Sequence, residues 1–168
     1  MQFRTATVDD APILAALSIE VWIGTYLPRG VNAFFARFAL EEFTAARLAR
    51  AIEDPSQHFI VSENADGLDG FIRISHGSDA PMDGGTDTGI ATLYVQPRHQ
   101  GRGLGRALLD QALAHAREAG APSVWLTVNS DNRGAIAFYL AQGFKDVGTT
   151  HFHIGDQAYL NQVLQRPL

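Results

Sequence analysis

Nine residues, RHQGRGLGR at positions 98–106, constrain the fold of this chain more than any other stretch. They hold three glycines and three arginines, and they lie between the apolar run IATLYV and the helical pattern ALLDQALAHAREAG. A short, mostly apolar run of this kind predicts a strand that is buried on both faces. The stretch therefore predicts a buried strand joined to a helix by a cationic, glycine-rich loop.

The next segments of the chain extend this pattern into an α/β fold. A second apolar strand, SVWLTVN, is followed by a second helix, NRGAIAFYLAQGF, and Gly120 and Gly143 are suited to end the two helices. A strand–helix–strand unit implies two parallel strands joined by a right-handed crossover. We therefore expect a sheet whose centre contains a parallel pair.

The flanking segments predict antiparallel strands and further helices. Helical spacing occurs in VDDAPILAALSIEVWIGTYL and in a longer region, AFFARFALEEFTAARLARAIED, which we expect to break near Leu40. The other predicted strands are FRTAT and two hairpins, HFIVSEN with LDGFIRIS and KDVGTTHFHI with AYLNQVL. No repeat or linker interrupts the chain, so we expect one domain spanning residues 1–168.

Composition removes several classes of protein. The chain of 168 residues is long enough to bury one full core, and it contains no cysteine, which excludes disulfides, a cysteine nucleophile and Cys-ligated zinc. Its net charge of −5 does not fit a general nucleic-acid binder. No run approaches the ~20 apolar residues of a membrane-spanning helix, and no secretory leader is evident. We expect a cytoplasmic protein without a nucleic-acid or membrane partner.

The loop has the features of an anion site. A helix N-terminus offers unpaired N–H groups and partial positive charge, and glycines let a phosphate approach the backbone. Arg98, Arg102 and Arg106 can add charge-assisted contacts. A dinucleotide fingerprint fails because its third glycine position is Arg106, and a triphosphate P-loop fails because the loop offers no lysine at the required position. A glycine-rich turn without a ligand is the remaining alternative.

Two blocks of sequence resemble the GCN5-related N-acetyltransferase (GNAT) superfamily. Gln100, Gly103 and Gly105 match the pattern Q/R-x-x-G-x-G/A, and the resemblance spans roughly residues 89–144. The second block, an asparagine followed by A-x-x-F-Y-x-x-x-G-F, matches Asn132, Ala135, Phe138, Tyr139, Gly143 and Phe144. The resemblance implies a GNAT-like fold, with a central mixed sheet, splayed parallel strands and helices on both faces.

The resemblance also implies a site for acetyl-coenzyme A. In such enzymes the strand before the loop pairs with the pantetheine arm, and the loop amides hold the diphosphate. Asn132 corresponds to a cofactor contact, although it also suits a helix N-cap, and Tyr139 corresponds to the general acid, although a Phe–Tyr pair also suits a core. The implied cofactor residues are Leu93, Tyr94, Val95, Arg98, Gln100, Gly101, Arg102, Gly103, Leu104, Gly105, Arg106 and Asn132.

The general base is not identified by the sequence. Many relatives have an acidic residue near the start of the strand before the loop, where this chain has Gly89. His151 and His153 alternate on one predicted strand, but without a third ligand we expect no metal. The other candidates for the base are Asp87, Glu41, Glu42, His58, His76 and those two histidines, and a water chain to solvent is the alternative to a side-chain base.

The predicted function is acyl-coenzyme A-dependent N-acyl transfer, with acetyl as the acyl group and a primary amine of a small molecule, peptide or protein as acceptor. Trp22 and Tyr26 lie one helical turn apart and are suited to form one wall of an amine pocket by cation–π attraction. The alternative is a non-catalytic acyl-coenzyme A-binding or regulatory module, which the glycine at position 89 favours. The identity of the acceptor and the formation of a homodimer stay open.

Overall fold

A computed structural model describes residues 2–168, which fold into seven strands and five α-helices. The strands are β1 (Gln2–Thr5), β2 (Gln57–Glu63), β3 (Leu68–Ser75), β4 (Gly89–Val95), β5 (Ser123–Asn129), β6 (Lys145–Ile154) and β7 (Gln157–Pro167). The helices are α1 (Ala11–Tyr26), α2 (Ala33–Glu42), α3 (Ala45–Glu53), α4 (Leu104–Glu118) and α5 (Arg133–Ala141). No helix within residues 2–168 has both the length and the apolar character needed to cross a bilayer.

The chain divides into two compact units, each made of two separate stretches. The first contains the residues up to Arg73 together with Thr92–Gln111, and its strands follow the order β1-β2-β3-β4. The second contains Ile74–Ala91 and Ala112–Leu168, with the order β3-β4-β5-β7-β6. Because β3 and β4 contribute to both units, the seven strands belong to one sheet. The sheet is mixed, since β4 and β5 are parallel whereas the β1–β2, β5–β7 and β6–β7 pairs are antiparallel.

The first unit is built around the apolar face of α1. Leu14 and Leu17 on this helix pack with Phe59, Val61 and Phe71 of the neighbouring strands, and all five side chains are buried. Burying aliphatic and aromatic side chains of this size stabilises a fold by roughly 1.5–3 kcal/mol each. This packing fixes the helix that carries Trp22 and Tyr26.

The second helical region breaks at a different place from the one predicted. Leu40 lies inside α2 and its side chain is exposed, whereas the break falls at residues 43–44. Thr44 is the N-cap of α3, and its hydroxyl accepts a hydrogen bond from the Arg47 backbone N–H at 3.2 Å. A threonine that caps a following helix ends the preceding one more effectively than an exposed leucine does.

The second unit is built on a continuous antiparallel ladder. Strand β5 pairs with β7 from Ser123↔Pro167 to Asn129↔Asn161, and Val124, Leu126 and Leu164 are buried along it. The register of β4 with β5 consists of one pair, Gly89↔Trp125, at the first residue of β4. The Trp125 backbone N–H donates to the Thr88 carbonyl at 3.1 Å beside it. The predicted parallel pair is therefore present and begins at Gly89.

Candidate functional site

The loop after β4 closes back onto the strand that it leaves. A short 3-10 turn over Pro97–His99 follows Gln96, and the His99 backbone N–H donates to the Gln96 carbonyl at 2.8 Å. The Gln100 side-chain Nε2 then donates to the Val95 carbonyl at 2.9 Å. This last bond gives the glutamine at the head of the motif a defined role, because it holds the loop in a fixed path toward α4.

Two glycines of the loop have backbone angles that other residues resist. Gly101 has φ of +72° and Gly103 has φ of +84°. An added Cβ at either position would meet no atom within 4 Å, so the requirement comes from the backbone angle and not from crowding. Both residues are exposed to solvent. The loop therefore has its left-handed residues where a ligand can approach the main chain.

A row of consecutive backbone N–H groups lies at the start of α4. The first helical bond runs from the Ala107 N–H to the Gly103 carbonyl at 3.0 Å, so the amides before Ala107 have no acceptor within the helix. Within residues 2–168, no backbone or side-chain group accepts a hydrogen bond from the N–H groups of residues 101–106. We call these six N–H groups the amide row.

Positive charge surrounds the amide row. Arg98, Arg102 and Arg106 are all exposed, and the first turn of α4 contains no acidic residue. Arg106 makes only a loose contact with Asp110, at 3.9 Å between Nε and Oδ2, and its side chain is 70% exposed. The partial positive charge of the helix N-terminus adds to these side chains. The site is therefore suited to an anion with several oxygen acceptors.

A buried carboxylate anchors the turn that precedes the amide row. Asp69 is 6% exposed, and its Oδ2 lies 3.1 Å from His99 Nδ1 and accepts from Asn64 Nδ2 at 3.0 Å. The Asp69 carbonyl also accepts from the Gln96 N–H at 2.9 Å. Burial raises the pKa of Asp69, but the polar side chains of Asn64, Ser62 and His99 together outweigh it and hold the pKa below its usual value. We call this group the Asp69 anchor.

The strand residues predicted to face the cofactor have partly or fully buried side chains. Val95 is buried, and Leu93 and Tyr94 are half-buried. The ring of Tyr94 packs edge-on against Phe71 at 5.7 Å and against Phe43 at 6.4 Å between centroids. The ring of Tyr94 therefore packs within the core of the first unit.

Trp22 lies at the centre of an aromatic cluster. Its ring centroid is 5.1 Å from Phe38, 5.5 Å from Tyr26, 6.0 Å from Phe35 and 6.3 Å from Phe43. Trp22 is only 8% exposed, whereas Tyr26 is 39% exposed. The half-buried phenylalanines thus pack around the buried Trp22. Of the two residues of the predicted wall, Tyr26 has the larger accessible surface.

Asn132 and Tyr139 both lie on or beside α5. Asn132 is the N-cap, with its Oδ1 accepting from the Ala135 N–H at 3.2 Å, so the alternative reading of this residue as a cap is confirmed. Its Nδ2 has no acceptor in the described part of the chain and can still donate to a ligand. Tyr139 is 9% exposed and packs between Phe138 and Phe144, at 5.1 and 5.5 Å.

The space beside Gly89 is occupied by the ring of Trp125. A Cβ added to Gly89 would lie 3.0 Å from Cε2 of Trp125 and 3.1 Å from the Ser75 hydroxyl. The Trp125 indole N–H donates to the Ser78 carbonyl at 3.1 Å, which holds the ring in place. A carboxylate at position 89 would therefore require Trp125 to move, and this chain lacks room for a strand-borne base there.

The other candidates for the base are dispersed. Asp87 lies in the loop before β4, and Glu42 forms an exposed ion pair with Arg47 at 3.0 Å. His151 and His153 are exposed on β6, and no group of three or more metal-binding side chains occurs among residues 2–168. Glu41 is exposed and His58 is half-buried, while His76 contacts His115.

Comparison with known proteins identifies relatives over almost the whole chain. The acetyltransferase (GNAT) family matches residues 25–144. An uncharacterized N-acetyltransferase of Mycobacterium tuberculosis is 30% identical over 161 residues, covering 96% of this chain and 99% of the relative. The N-alpha-acetyltransferase RimI of the same organism is 35% identical over 104 residues, covering 61% of each chain.

Solved structures share the fold. The PaiA N-acetyltransferase of Thermoplasma acidophilum, in complex with coenzyme A, has a TM-score of 0.82 and covers 99% of this chain and 98% of its own. Its sequence identity is 19%, so the likeness concerns the fold alone.

Proposed function

Because this chain belongs to the GNAT acetyltransferase family, we propose that it transfers the acetyl group of acetyl-coenzyme A to a primary amine by direct attack in a ternary complex. That the chain is an N-acetyltransferase follows from its family and its relatives. The acyl donor, the acceptor and the catalytic groups are the proposed part.

The amide row is the observation that supports acetyl-coenzyme A as the acyl donor. A diphosphate presents several anionic oxygens, and six unpaired N–H groups at a helix N-terminus with three nearby arginines supply donors and charge of the matching kind. Each charge-assisted hydrogen bond of this type contributes about 1.5–3 kcal/mol. The coenzyme A complex of the PaiA N-acetyltransferase supports the same class of cosubstrate.

The residues around the amide row would supply the remaining contacts to acetyl-coenzyme A. The backbone of Leu93, Tyr94 and Val95 would pair with the amides of the pantetheine arm as an added strand does. Arg98 would contact the 3′-phosphate or the adenine side of the cofactor. The Asn132 Nδ2, which its capping role leaves available, would donate to the cofactor.

The reaction is nucleophilic acyl substitution. The neutral amine nitrogen attacks the thioester carbon, the C–S bond breaks, and the departing thiolate takes a proton from the Tyr139 hydroxyl. The nitrogen loses one proton to solvent as the amide forms, and Tyr139 regains a proton from solvent. A thiol with a pKa of ~8.5 is a tolerable leaving group at neutral pH, so the acid assists the step without being indispensable. The chain has no cysteine that could carry the acyl group, so the transfer is direct.

The acceptor must lose a proton before it attacks. A lysine-like amine has a pKa of ~10.4 and is mostly protonated at pH 7. Trp125 fills the space beside Gly89, so we assign no strand-borne base and infer that the proton leaves toward solvent. The identity of the amine stays open, and the N-alpha-acetyltransferase relative makes peptide N-termini one class to test first. A cytoplasmic location and a homodimer stay predictions.

Calorimetry with acetyl-coenzyme A, followed by a thiol-release assay over small amines, peptide N-termini and lysine peptides, tests the proposal. Tyr139→Phe is expected to lower kcat at least about tenfold while leaving the donor Kd within about twofold, because the hydroxyl acts only on the leaving group. Tyr159→Phe on β7 is the matched control and should retain kcat.

Two results would count against this function. Tight donor binding without turnover on any acceptor would favour the non-catalytic binding module. Loss of donor affinity in Tyr139→Phe would show that the tyrosine serves binding or packing and not proton transfer.

A further inference from the structure

Arg73 of β3 lies on the same face of the sheet as the aromatic cluster of the first unit. Its guanidinium carbon is 5.4 Å from the centroid of the Phe59 ring. Phe59 stacks on Phe71 at 6.3 Å, and Phe71 packs edge-on against Tyr94 at 5.7 Å. Through one further ring, Tyr94 joins the cluster around Trp22. Because residues i and i+2 of a strand share a face, Phe71 and Arg73 both lie on the side of the predicted acceptor wall.

Only one nitrogen of the Arg73 guanidinium has a hydrogen-bond partner among residues 2–168. Its Nε donates to Gln57 Oε1 at 2.7 Å, and Gln57 is itself oriented by donating from Nε2 to the Ser56 hydroxyl at 3.2 Å. Neither Nη1 nor Nη2 donates to a group of the described chain. Because the guanidinium is a planar fork of N–H donors, its two Nη groups are available to an anion that accepts two bonds.

No carboxylate of the described chain forms an ion pair with Arg73. Asp54 Oδ1 accepts from the Ser56 N–H and hydroxyl at 2.9 and 2.7 Å, and Glu42 pairs with Arg47 at 3.0 Å. Burial lowers the pKa of Arg73, and the charges of Asp54 and Glu42 offset this effect only in part. Arg73 is half-buried, so water screens its charge less than that of an exposed arginine, and an anionic ligand would be attracted more strongly.

We propose that the Nη groups of Arg73 bind a carboxylate of the acceptor, so that the preferred acceptors are amines that carry a carboxylate, such as amino acids and short peptides. The inference rests on the proposed function, because it assumes that the acceptor lies on the face of Trp22 and Tyr26. A carboxylate matches the guanidinium fork with two parallel hydrogen bonds. A single guanidinium balances one negative charge, which suits a carboxylate better than a phosphate dianion.

A thiol-release assay tests the proposal with pairs of acceptors that differ only in the carboxylate. Amino acids and dipeptides are each compared with their C-terminal amides at saturating acetyl-coenzyme A. Arg73→Gln should lower the ratio of kcat/KM for the acid to kcat/KM for the amide at least about tenfold. Arg73→Lys should give an intermediate ratio, because the charge remains but the fork is lost. Comparing variants cancels the difference in amine pKa between acid and amide.

Arg50→Gln, at an exposed arginine of α3, is the matched control and should leave the ratio unchanged. The Kd for acetyl-coenzyme A, measured by calorimetry, should stay within about twofold in Arg73→Gln, which shows that the variant is folded. If Arg73→Gln lowers kcat/KM equally for acid and amide, Arg73 has only a structural role and the proposal is overturned. If Arg73→Gln fails to fold, the ratio in Arg73→Lys decides in the same way.

The proposal and the proposed function fail in different ways. Turnover of amines without a carboxylate, but not of the paired acids, would overturn the proposal alone. Absence of turnover with every acceptor would count against the proposed function. Calorimetry of the acids and amides with the coenzyme A complex then decides the proposal, because binding to Arg73 requires no acyl transfer. Tighter binding of the acids that is lost in Arg73→Gln would support the proposal, and equal or absent binding would overturn it.

Discussion

Helices α4 and α5 each follow a strand of the sheet, yet their N-termini are completed in opposite ways. At α5, Asn132 accepts from the Ala135 N–H, and the Asn129 side chain accepts from the Asp131 N–H at 2.8 Å. The Arg133 N–H donates to the Asp131 carbonyl at 2.9 Å. At α4 the amide row has no such partner among the described residues, and glycines stand where capping side chains would be expected.

The difference indicates that the N-terminus of α5 has a structural role, whereas the N-terminus of α4 is available to a ligand. An Asn, Asp, Ser or Thr N-cap typically stabilises a helix by about 1 kcal/mol, and α5 has this stabilisation. Helix α4 lacks an N-cap side chain and its stabilisation, and it is preceded by an exposed turn with two left-handed glycines. A backbone that leaves its donors unpaired at a helix N-terminus, beside positive charge, is suited to bind an anion.

The largest expected effect comes from a side chain in the amide row. Gly103→Ala places a Cβ on a residue with φ of +84°, a strain of about 1–3 kcal/mol that shifts the row. We expect the Kd for acetyl-coenzyme A to rise at least about tenfold, measured by calorimetry. Gly134→Ala is the matched change in the first turn of α5, where φ is ordinary and no atom lies within 4 Å. Gly134→Ala should leave the Kd unchanged. An equal loss of affinity for acetyl-coenzyme A in both variants would contradict the comparison of the two helices.

The Asp69 anchor should have the next largest effect. Asp69→Asn removes the negative charge of the group that holds His99, so we expect the KM for acetyl-coenzyme A to rise about fivefold with kcat within about twofold, since the turn before the amide row loosens. Asp66→Asn, in the exposed turn beside Asn64, is the control and should change neither constant. A drop in kcat with unchanged KM would refute the positioning role.

The same carboxylate predicts a pH dependence of stability. The pKa of Asp69 is lower in the folded chain than in the unfolded chain. The contribution of its carboxylate to the free energy of unfolding is therefore fully present above the unfolded pKa of about 3.9, and it is lost as the pH falls through the lower pKa of the folded chain. Urea unfolding should show that Asp69→Asn costs about 1–3 kcal/mol at pH 7 and less below pH 4. A difference that does not change with pH would contradict this assignment.

Asn132 allows its two roles to be separated. Asn132→Ala should lower the free energy of unfolding by about 1 kcal/mol, and Asn132→Ser should restore most of it, because serine also caps helices. If the Nδ2 also contacts the cofactor, the serine variant will recover stability without recovering donor affinity. If Asn132→Ser recovers both the stability and the affinity for acetyl-coenzyme A, Asn132 acts only as a helix cap.

Arg106 should have the smallest effect. Its side chain is 70% exposed and its contact with Asp110 is loose, so solvent screens it. Arg106→Gln is expected to raise the donor Kd by no more than about threefold, whereas a loss comparable with Gly103→Ala would assign a direct phosphate contact to this arginine.

The features that local sequence specifies were predictable. The order of helices and strands around the loop, the left-handed glycines and the cap at Asn132 all depend on residues within a few positions of one another. The break in the second helical region was predictable, but its position at residues 43–44 and not at Leu40 depends on the N-cap Thr44. Apolar periodicity alone does not locate a helix end.

The features that depend on distant contacts could not be predicted. Asp69 and His99 are 30 positions apart, and neither segment contains a local pattern that predicts their hydrogen bond. The glycine at position 89 was visible as a departure from the family pattern, but its cause, the ring of Trp125, lies in another strand. The roles proposed for Tyr139, Trp22 and Tyr26 stay predictions, because packing alone explains their positions equally well.

The most direct measurement follows the backbone N–H resonances of residues 101–106 by ¹⁵N-edited NMR during titration with coenzyme A. The amide row should shift more than any other amide, with the affinity found by calorimetry, and pantetheine without the diphosphate should leave it unmoved. Coenzyme A that binds while these six resonances stay in place would contradict the account.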